Sequence, residues 1–131
     1  MKNVEFLDWD DLQKLHRDQL EQFGGQDGFI EEGVVRSALS RAMFTAKYNP
    51  DADLADLAAE YFFGLSTTQG YSDGNKRTAL AAASAFLQKN GWDMTITDQL
   101  MYIIAMGIAR GDVDKESLAE VLRDHMEVLP D

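Results

Sequence analysis

The sequence predicts an all-α fold: one compact domain, residues 1–131, of about six helices with at most a short strand. Three observations predict it. Apolar residues recur at spacings of three and four along most of the chain. Only two prolines, Pro50 and Pro130, interrupt that pattern. The composition, 45% hydrophobic and 27% charged, is that of an ordinary globular domain rather than a disordered chain. A chain of 131 residues buries about two-thirds of the surface its unfolded form exposes, so it folds without a metal or crosslink.

The elements follow in order. Asp8 or Asp10 caps a first helix carrying Leu12, Leu15, Gln19 or Leu20, and Phe23, and Gly24-Gly25 stops it. After the loop Gly25-Gln26-Asp27-Gly28, a second helix covers Glu31 to Thr45, with Val34, Val35, Ala38, Leu39, Ala42 and Met43 inward. Its acidic first turn suits the helix dipole. Asn49-Pro50-Asp51 is a turn. The third helix runs from about Asp53 to Thr67, and its wide stripe of Leu54, Leu57, Ala58, Tyr61, Phe62 and Leu65 marks it as central.

The segment 68–74 breaks that helix, and a fourth runs from near Asn75 to Asn90, stopped by Gly91. Its alanines are strong helix formers that permit close packing. Trp92 to Ile96 alternates weakly, as a short strand would. Helices from Thr97 to Arg110 and from Asp114 to about Glu127 complete the chain. Trp9, Trp92 and the phenylalanines at helical spacing read as core. The runs Asp8-Trp9-Asp10-Asp11 and Asp51-Ala52-Asp53 read as solvated caps.

Composition also excludes function classes. With no cysteine, disulfide frameworks, thiolate zinc sites and thiol nucleophiles are ruled out. A formal charge of −11, from 23 acidic against 12 basic residues, opposes nucleic-acid binding and docking on an anionic membrane. It favours a basic protein partner if any. The N-terminus lacks a signal peptide's apolar run, and the longest apolar stretch, Met101 to Ala109, falls well short of the roughly 20 residues of a membrane span. The expected location is cytoplasmic.

Chemistry concentrates in Gln69-Gly70-Tyr71-Ser72-Asp73-Gly74-Asn75-Lys76-Arg77-Thr78, between two helices. Free N–H groups at a helix start attract anions, and Gly74 permits close backbone approach. Lys76 and Arg77 sit in the first turn, where each cation opposes the macrodipole at about 0.3–1 kcal/mol. A bound polyanion would offset that cost. The plainer alternative is two solvated side chains. Asp73 is either a helix N-cap or a hard oxygen ligand for Mg²⁺ bridging phosphates. The segment is not a P-loop, because no Ser or Thr follows Lys76 directly.

This segment resembles the signature of the Fic/Doc superfamily, His-x-Phe-x-Asp-(Gly/Ala)-Asn-(Gly/Lys)-Arg. The Lys variant followed by Thr78-Ala79-Leu80 resembles its Doc (death-on-curing) branch, as do His16 to Gly25, Phe86 to Gly91 and Ala109 to Val113. The resemblance implies a compact helical Fic fold and transfer of part of ATP to a protein hydroxyl. Most Fic enzymes transfer AMP, whereas Doc toxins phosphorylate a translation factor and stop growth. Asp73 would hold Mg²⁺ against the phosphates. Gly74, Asn75 and Lys76 would form the anion hole, and Arg77 would bind a phosphate. Tyr71, at the usual Phe position, would anchor the loop. Leu80 stands where many Fic enzymes carry a second Arg, which favours the Doc branch.

The resemblance departs at Gln69, where the family has its catalytic His. Glutamine does not titrate near neutrality, and a general base is typically worth about 10²–10⁴ in rate. Three explanations compete. Gln69 orients the incoming hydroxyl, as a glutamine does in some GTPases. Alternatively the domain binds nucleotide without efficient catalysis. Or the His was removed so that a toxic protein could be produced, although Gly70 and Tyr71 also differ from the commonest His-Pro-Phe form. His16, at a family position, could in principle stand in as a base. The family's inhibitory motif, Ser/Thr-x-x-x-Glu-(Gly/Asn), fails here because Gly28 precedes Glu32-Gly33 at the required spacing. By resemblance, control would come from a separate antitoxin whose disordered tail folds onto this domain.

Overall fold

A computed structural model describes residues 3–130. Met1 and Lys2, part of the segment read above for a targeting signal, lie outside them. Among the described residues there are six helices and one two-stranded sheet: α1 Trp9–Phe23, α2 Glu32–Tyr48, α3 Leu54–Thr68, α4 Asn75–Lys89, β1 Trp92–Met94, α5 Asp98–Arg110, α6 Lys115–Asp124 and β2 Met126–Val128. The all-α expectation is met.

Helix starts follow local chemistry. Asp8 caps α1 and Asp53 caps α3, each in a reciprocal capping box, with Asp11 and Asp56 at the third position. Thr97 caps α5 and Asp114 caps α6. Thus Asp8 rather than Asp10 opens α1, and both acidic runs contain working caps.

Two helix ends differ from expectation. Helix α2 continues past Thr45 to Tyr48, because no breaker precedes Pro50 and only Asn49 is forced into an extended conformation. Helix α6 stops at Asp124 rather than near Glu127. The residues after His125 leave the helix to pair antiparallel with β1, Trp92 opposite Val128 and Met94 opposite Met126. The strand expected over Trp92 to Ile96 is accordingly shorter, ending at Met94.

Helix α3 is the axis of the core. Ala55, Leu57, Ala58, Ala59, Tyr61, Phe62, Gly64 and Leu65 are buried around its circumference, as befits a helix enclosed by others. It packs chiefly on α4, α2 and α6. The small residues Ala79, Ala82 and Ala83 bring α4 close, and Phe86 and Leu87 fill the space beyond. Trp9 and Trp92 are partly buried against this core.

Three residues read as inward are exposed. Met43 lies at the edge of the α2 stripe, Phe23 on the last turn of α1, and Phe44 on the outer face of α2. Helix α2 packs mainly on α3, so only one side of it finds partners. No helix among the described residues is long and apolar enough to cross a membrane.

Candidate functional site

The motif loop leaves α3 through Gln69, whose left-handed backbone (φ 50°) turns the chain away from the helix axis. Gly70 is buried, and its carbonyl accepts from the N–H groups of Ile30 and Glu31 at 2.8 and 3.0 Å. The Ser72 N–H donates to Gly28 O at 3.0 Å. The motif loop is therefore paired, backbone to backbone, with the segment entering α2.

Tyr71 anchors the loop as expected. It is 1% exposed, and burial pushes its phenol up to about 12, so it stays protonated. Its hydroxyl accepts from Gln13 Nε2 at 2.9 Å. Its ring lies between His16, centroids 3.7 Å apart, and Phe29, 5.2 Å. Asn75 braces the same loop from below. Its side chain accepts from Tyr71 N–H at 3.1 Å and donates to Tyr71 O at 3.0 Å. That leaves the backbone N–H of Asn75 and the second Nδ2 hydrogen outside this pair of bonds.

Helix α4 begins with Gly74 at φ 80° as its N-cap and no side-chain cap among the described residues. The first N–H groups of the helix are left for an incoming acceptor. No acidic residue occupies the first turn. Asp73 is therefore not the N-cap. It is exposed, and its Oδ2 accepts from Gln26 N–H at 2.7 Å, across the turn that follows α1.

The two first-turn cations diverge. Lys76 lines a recess of about 200 Å³ with Gln69, Ser66, Thr67 and the α5 residues Ala105, Ile108 and Ala109. Arg77 lines a larger groove of about 680 Å³, mainly apolar, between the end of α1, α4 and α5, and its guanidinium sits 4.8 Å above the Phe23 ring. The helix start thus separates a polar recess holding Gln69 from an apolar groove holding Arg77, with Asp73 on the α1 side.

His16 does not stand ready as a replacement base. It is 2% exposed, its ring is covered by Tyr71, and its Nε2 donates to Asp73 O at 2.9 Å. Because a carbonyl only accepts, that nitrogen carries the proton. His125 is likewise engaged, with Nδ1 2.8 Å from Val121 O. Thr78, one turn into α4, is fully buried, and its hydroxyl has no partner among the described residues.

Sequence reasoning placed a loop at Gly25-Gln26-Asp27-Gly28 but missed its contact with Asp73. The Gly-Gly pair reads locally as a helix stop. Its approach to Asp73, 47 positions away, leaves no local signal.

The sequence has counterparts among known proteins. A family model described as "Fic/DOC family" matches residues 6–87. The chain is 29% identical over 114 residues to "Protein kinase doc" of Escherichia phage P1, covering 87% of this chain and 90% of that protein. It is 35% identical over 108 residues to "Toxin Doc" of Mycolicibacterium smegmatis, covering 76% and 79% respectively.

Proposed function

This chain belongs to the Fic/DOC family, in its Doc branch, and on that premise we propose that it is a Doc-like toxin of a toxin–antitoxin pair. It transfers a phosphate or nucleotidyl group from ATP to a hydroxyl of a target protein of the translation-factor class. One observation carries the reading: α4 starts uncapped, with no acid in its first turn, two cations there and a carboxylate beside it. Such a start is unfavourable for an empty helix and favourable around a polyphosphate.

The donor set fits Mg²⁺. Among the described residues no group of three or more His, Asp or Glu could cage a metal. Mg²⁺ is commonly held by one or two carboxylates together with substrate phosphates, and Asp73 next to the helix start supplies that arrangement. When bound, Mg²⁺ neutralises phosphate charge.

The residues then divide the work. The N–H groups following Gly74, those of Asn75 and Lys76 included, receive phosphate oxygens. Lys76 and Arg77 approach from opposite sides of the helix start and balance charge on the transferring and leaving groups. Gln69, at the mouth of the Lys76 recess, orients the acceptor hydroxyl through its side-chain amide. The acceptor oxygen bonds to phosphorus as a phosphoanhydride P–O bond of ATP breaks, releasing ADP in phosphate transfer or pyrophosphate in nucleotidyl transfer, and the hydroxyl proton passes to water, because Gln69 cannot hold it. A loose transition state depends mainly on positioning and charge neutralisation, which this site supplies. Control comes from a separate antitoxin chain, and the setting is cytoplasmic.

One observation favours a second reading. With Gln69 at the base position and His16 committed to Asp73, the domain would serve as an inactive module that binds nucleotide or a partner protein. The discriminating experiment incubates labelled ATP and a cell lysate with this chain, with Gln69→His and with Arg77→Ala. Label on a lysate protein, absent with Arg77→Ala, supports the transferase. Gln69→His should raise the rate by roughly 10²–10⁴. Label seen with Gln69→His alone supports the binding module. Absence of ATP binding by calorimetry with Mg²⁺, for the parent and for Gln69→His, refutes the transferase and the nucleotide-binding module.

A further inference from the structure

Asp73 is held from two sides by one element. Its carbonyl accepts from His16 Nε2 at 2.9 Å, and its Oδ2 accepts from Gln26 N–H at 2.7 Å. His16 lies on α1, and Gln26 is in the turn that follows. Its other carboxylate oxygen, Oδ1, accepts no hydrogen bond among the described residues.

Both donors are themselves held. The His16 ring lies 12° from parallel with Tyr71, and the stack continues through Phe29 to Trp9, with Arg36 3.9 Å above Trp9. The turn depends on Gly25, whose backbone has φ 121°, a region other residues rarely enter. A Cβ there would stand 3.0 Å from Asp73 Cβ and 3.0 Å from Leu20 Cδ2. Glycine is thus required twice, for the turn and for the approach to Asp73.

Resting on the nucleotide reading above, we propose that His16 and the Gly25–Gln26 turn are positioning residues that fix the Asp73 carboxylate for a phosphate-bound divalent cation. An exposed aspartate on a loop would otherwise sample several rotamers, and ordering it would weaken cation binding. Here one oxygen is tethered by a backbone N–H and the other is left for the cation. Partners that orient a metal-holding group in this way are typically worth 10–100-fold in affinity.

The proposal separates from simple core packing through two substitutions at one position. His16→Phe keeps a flat ring against Tyr71 and removes the donor. His16→Gln places an amide N–H at similar reach and removes the ring. Gly25→Ala perturbs the second tether independently, which keeps the proposal testable if a His16 variant does not fold. The measurement is calorimetric binding of ATP in MgCl₂ and of ATP in EDTA.

His16→Phe and Gly25→Ala should each weaken binding in MgCl₂ by roughly 10–100-fold, with binding in EDTA unchanged. His16→Gln should recover most of the loss. Parent-like binding by folded His16→Phe and Gly25→Ala overturns the proposal and leaves the nucleotide reading intact. Equal losses in MgCl₂ and EDTA also overturn it, by assigning these residues to packing alone. If the parent binds no ATP in MgCl₂, the nucleotide reading fails and this inference with it.

Discussion

Gly70→Ala should destabilise the protein well beyond the usual cost of adding a methyl group. A Cβ at this position would lie 2.5 Å from Val35 Cγ2, 2.6 Å from Val34 Cγ2 and 2.8 Å from Glu31 O. Carbon atoms at optimal contact stand about 3.5–4.0 Å apart, so each methyl is overrun by about 1 Å. Relief by rotation is closed off, because a helical valine has one strongly preferred rotamer. Nor can Glu31 O withdraw alone, since it belongs to the backbone segment paired with the motif loop.

The loop must therefore shift. Doing so stretches the bonds from Ile30 and Glu31 N–H to Gly70 O. Overpacking of a tight site costs about 1–3 kcal/mol. Two weakened backbone bonds add about 1 kcal/mol each, for a total of about 3–5 kcal/mol. For a domain of this size that corresponds to a fall in Tm of about 10–20 °C. Urea unfolding should show a lower midpoint at an unchanged slope. A loss below about 0.5 kcal/mol, the range of ordinary surface changes, would refute the claim that α2 closes tightly over the motif loop.

Other consequences concern charge and the loop anchor. Arg123 donates to both oxygens of Asp53, at 2.7 and 2.9 Å, and holds that carboxyl down at about 2. A depressed acid stabilises the fold above its unfolded pKa of about 3.9 and loses that contribution as pH falls toward the folded value. Arg123→Met should therefore cost about 1 kcal/mol or less at neutral pH, because the network is exposed. Urea midpoints at stepped pH should show the difference from the parent vanishing between about pH 4 and pH 2.

Glu60 is buried, and its carboxylate accepts from the Thr45 hydroxyl and pairs with Lys115 Nζ at 2.7 Å. Lys115→Met leaves a buried charge short of a partner and should lower stability by about 2 kcal/mol in thermal unfolding. Unchanged stability would show that water replaces the ammonium. Tyr71→Phe removes only the hydroxyl bonded to Gln13 and should cost about 1 kcal/mol. Tyr71→Ala empties the space between His16 and Phe29 and should cost about 3–5 kcal/mol in the same assay.

Much of the fold was legible because helix boundaries are set by neighbours in sequence. Asp8 with Asp11, Asp53 with Asp56, Thr97 and Asp114 each satisfy N–H groups within three residues. Gly91 and Gly111, both at positive φ, end their helices equally locally. The central place of α3 was legible too, since a helix apolar around its circumference must be enclosed. The end of α6 was not, because helical spacing continues through Met126 and only pairing with β1 draws that segment into a strand. Nor was the exposure of Phe23 and Met43, which depends on where neighbouring helices end.

The site divides in the same way. The sequence by itself determined a motif of Asp73, Gly74, Asn75, Lys76 and Arg77 at a helix start, because adjacent residues share one turn and its free N–H groups. It also determined that Gln69 cannot titrate, which is a property of the side chain alone. Only the tertiary structure decided that Lys76 and Arg77 face different cavities, that Asn75 braces the loop, and that His16 and Gln26 grip Asp73. Those outcomes rest on contacts between segments brought together by the packing of α1 and α2 around α3 and α4. Their energies depend on distances of an ångström or less, which residue spacing along a chain does not encode.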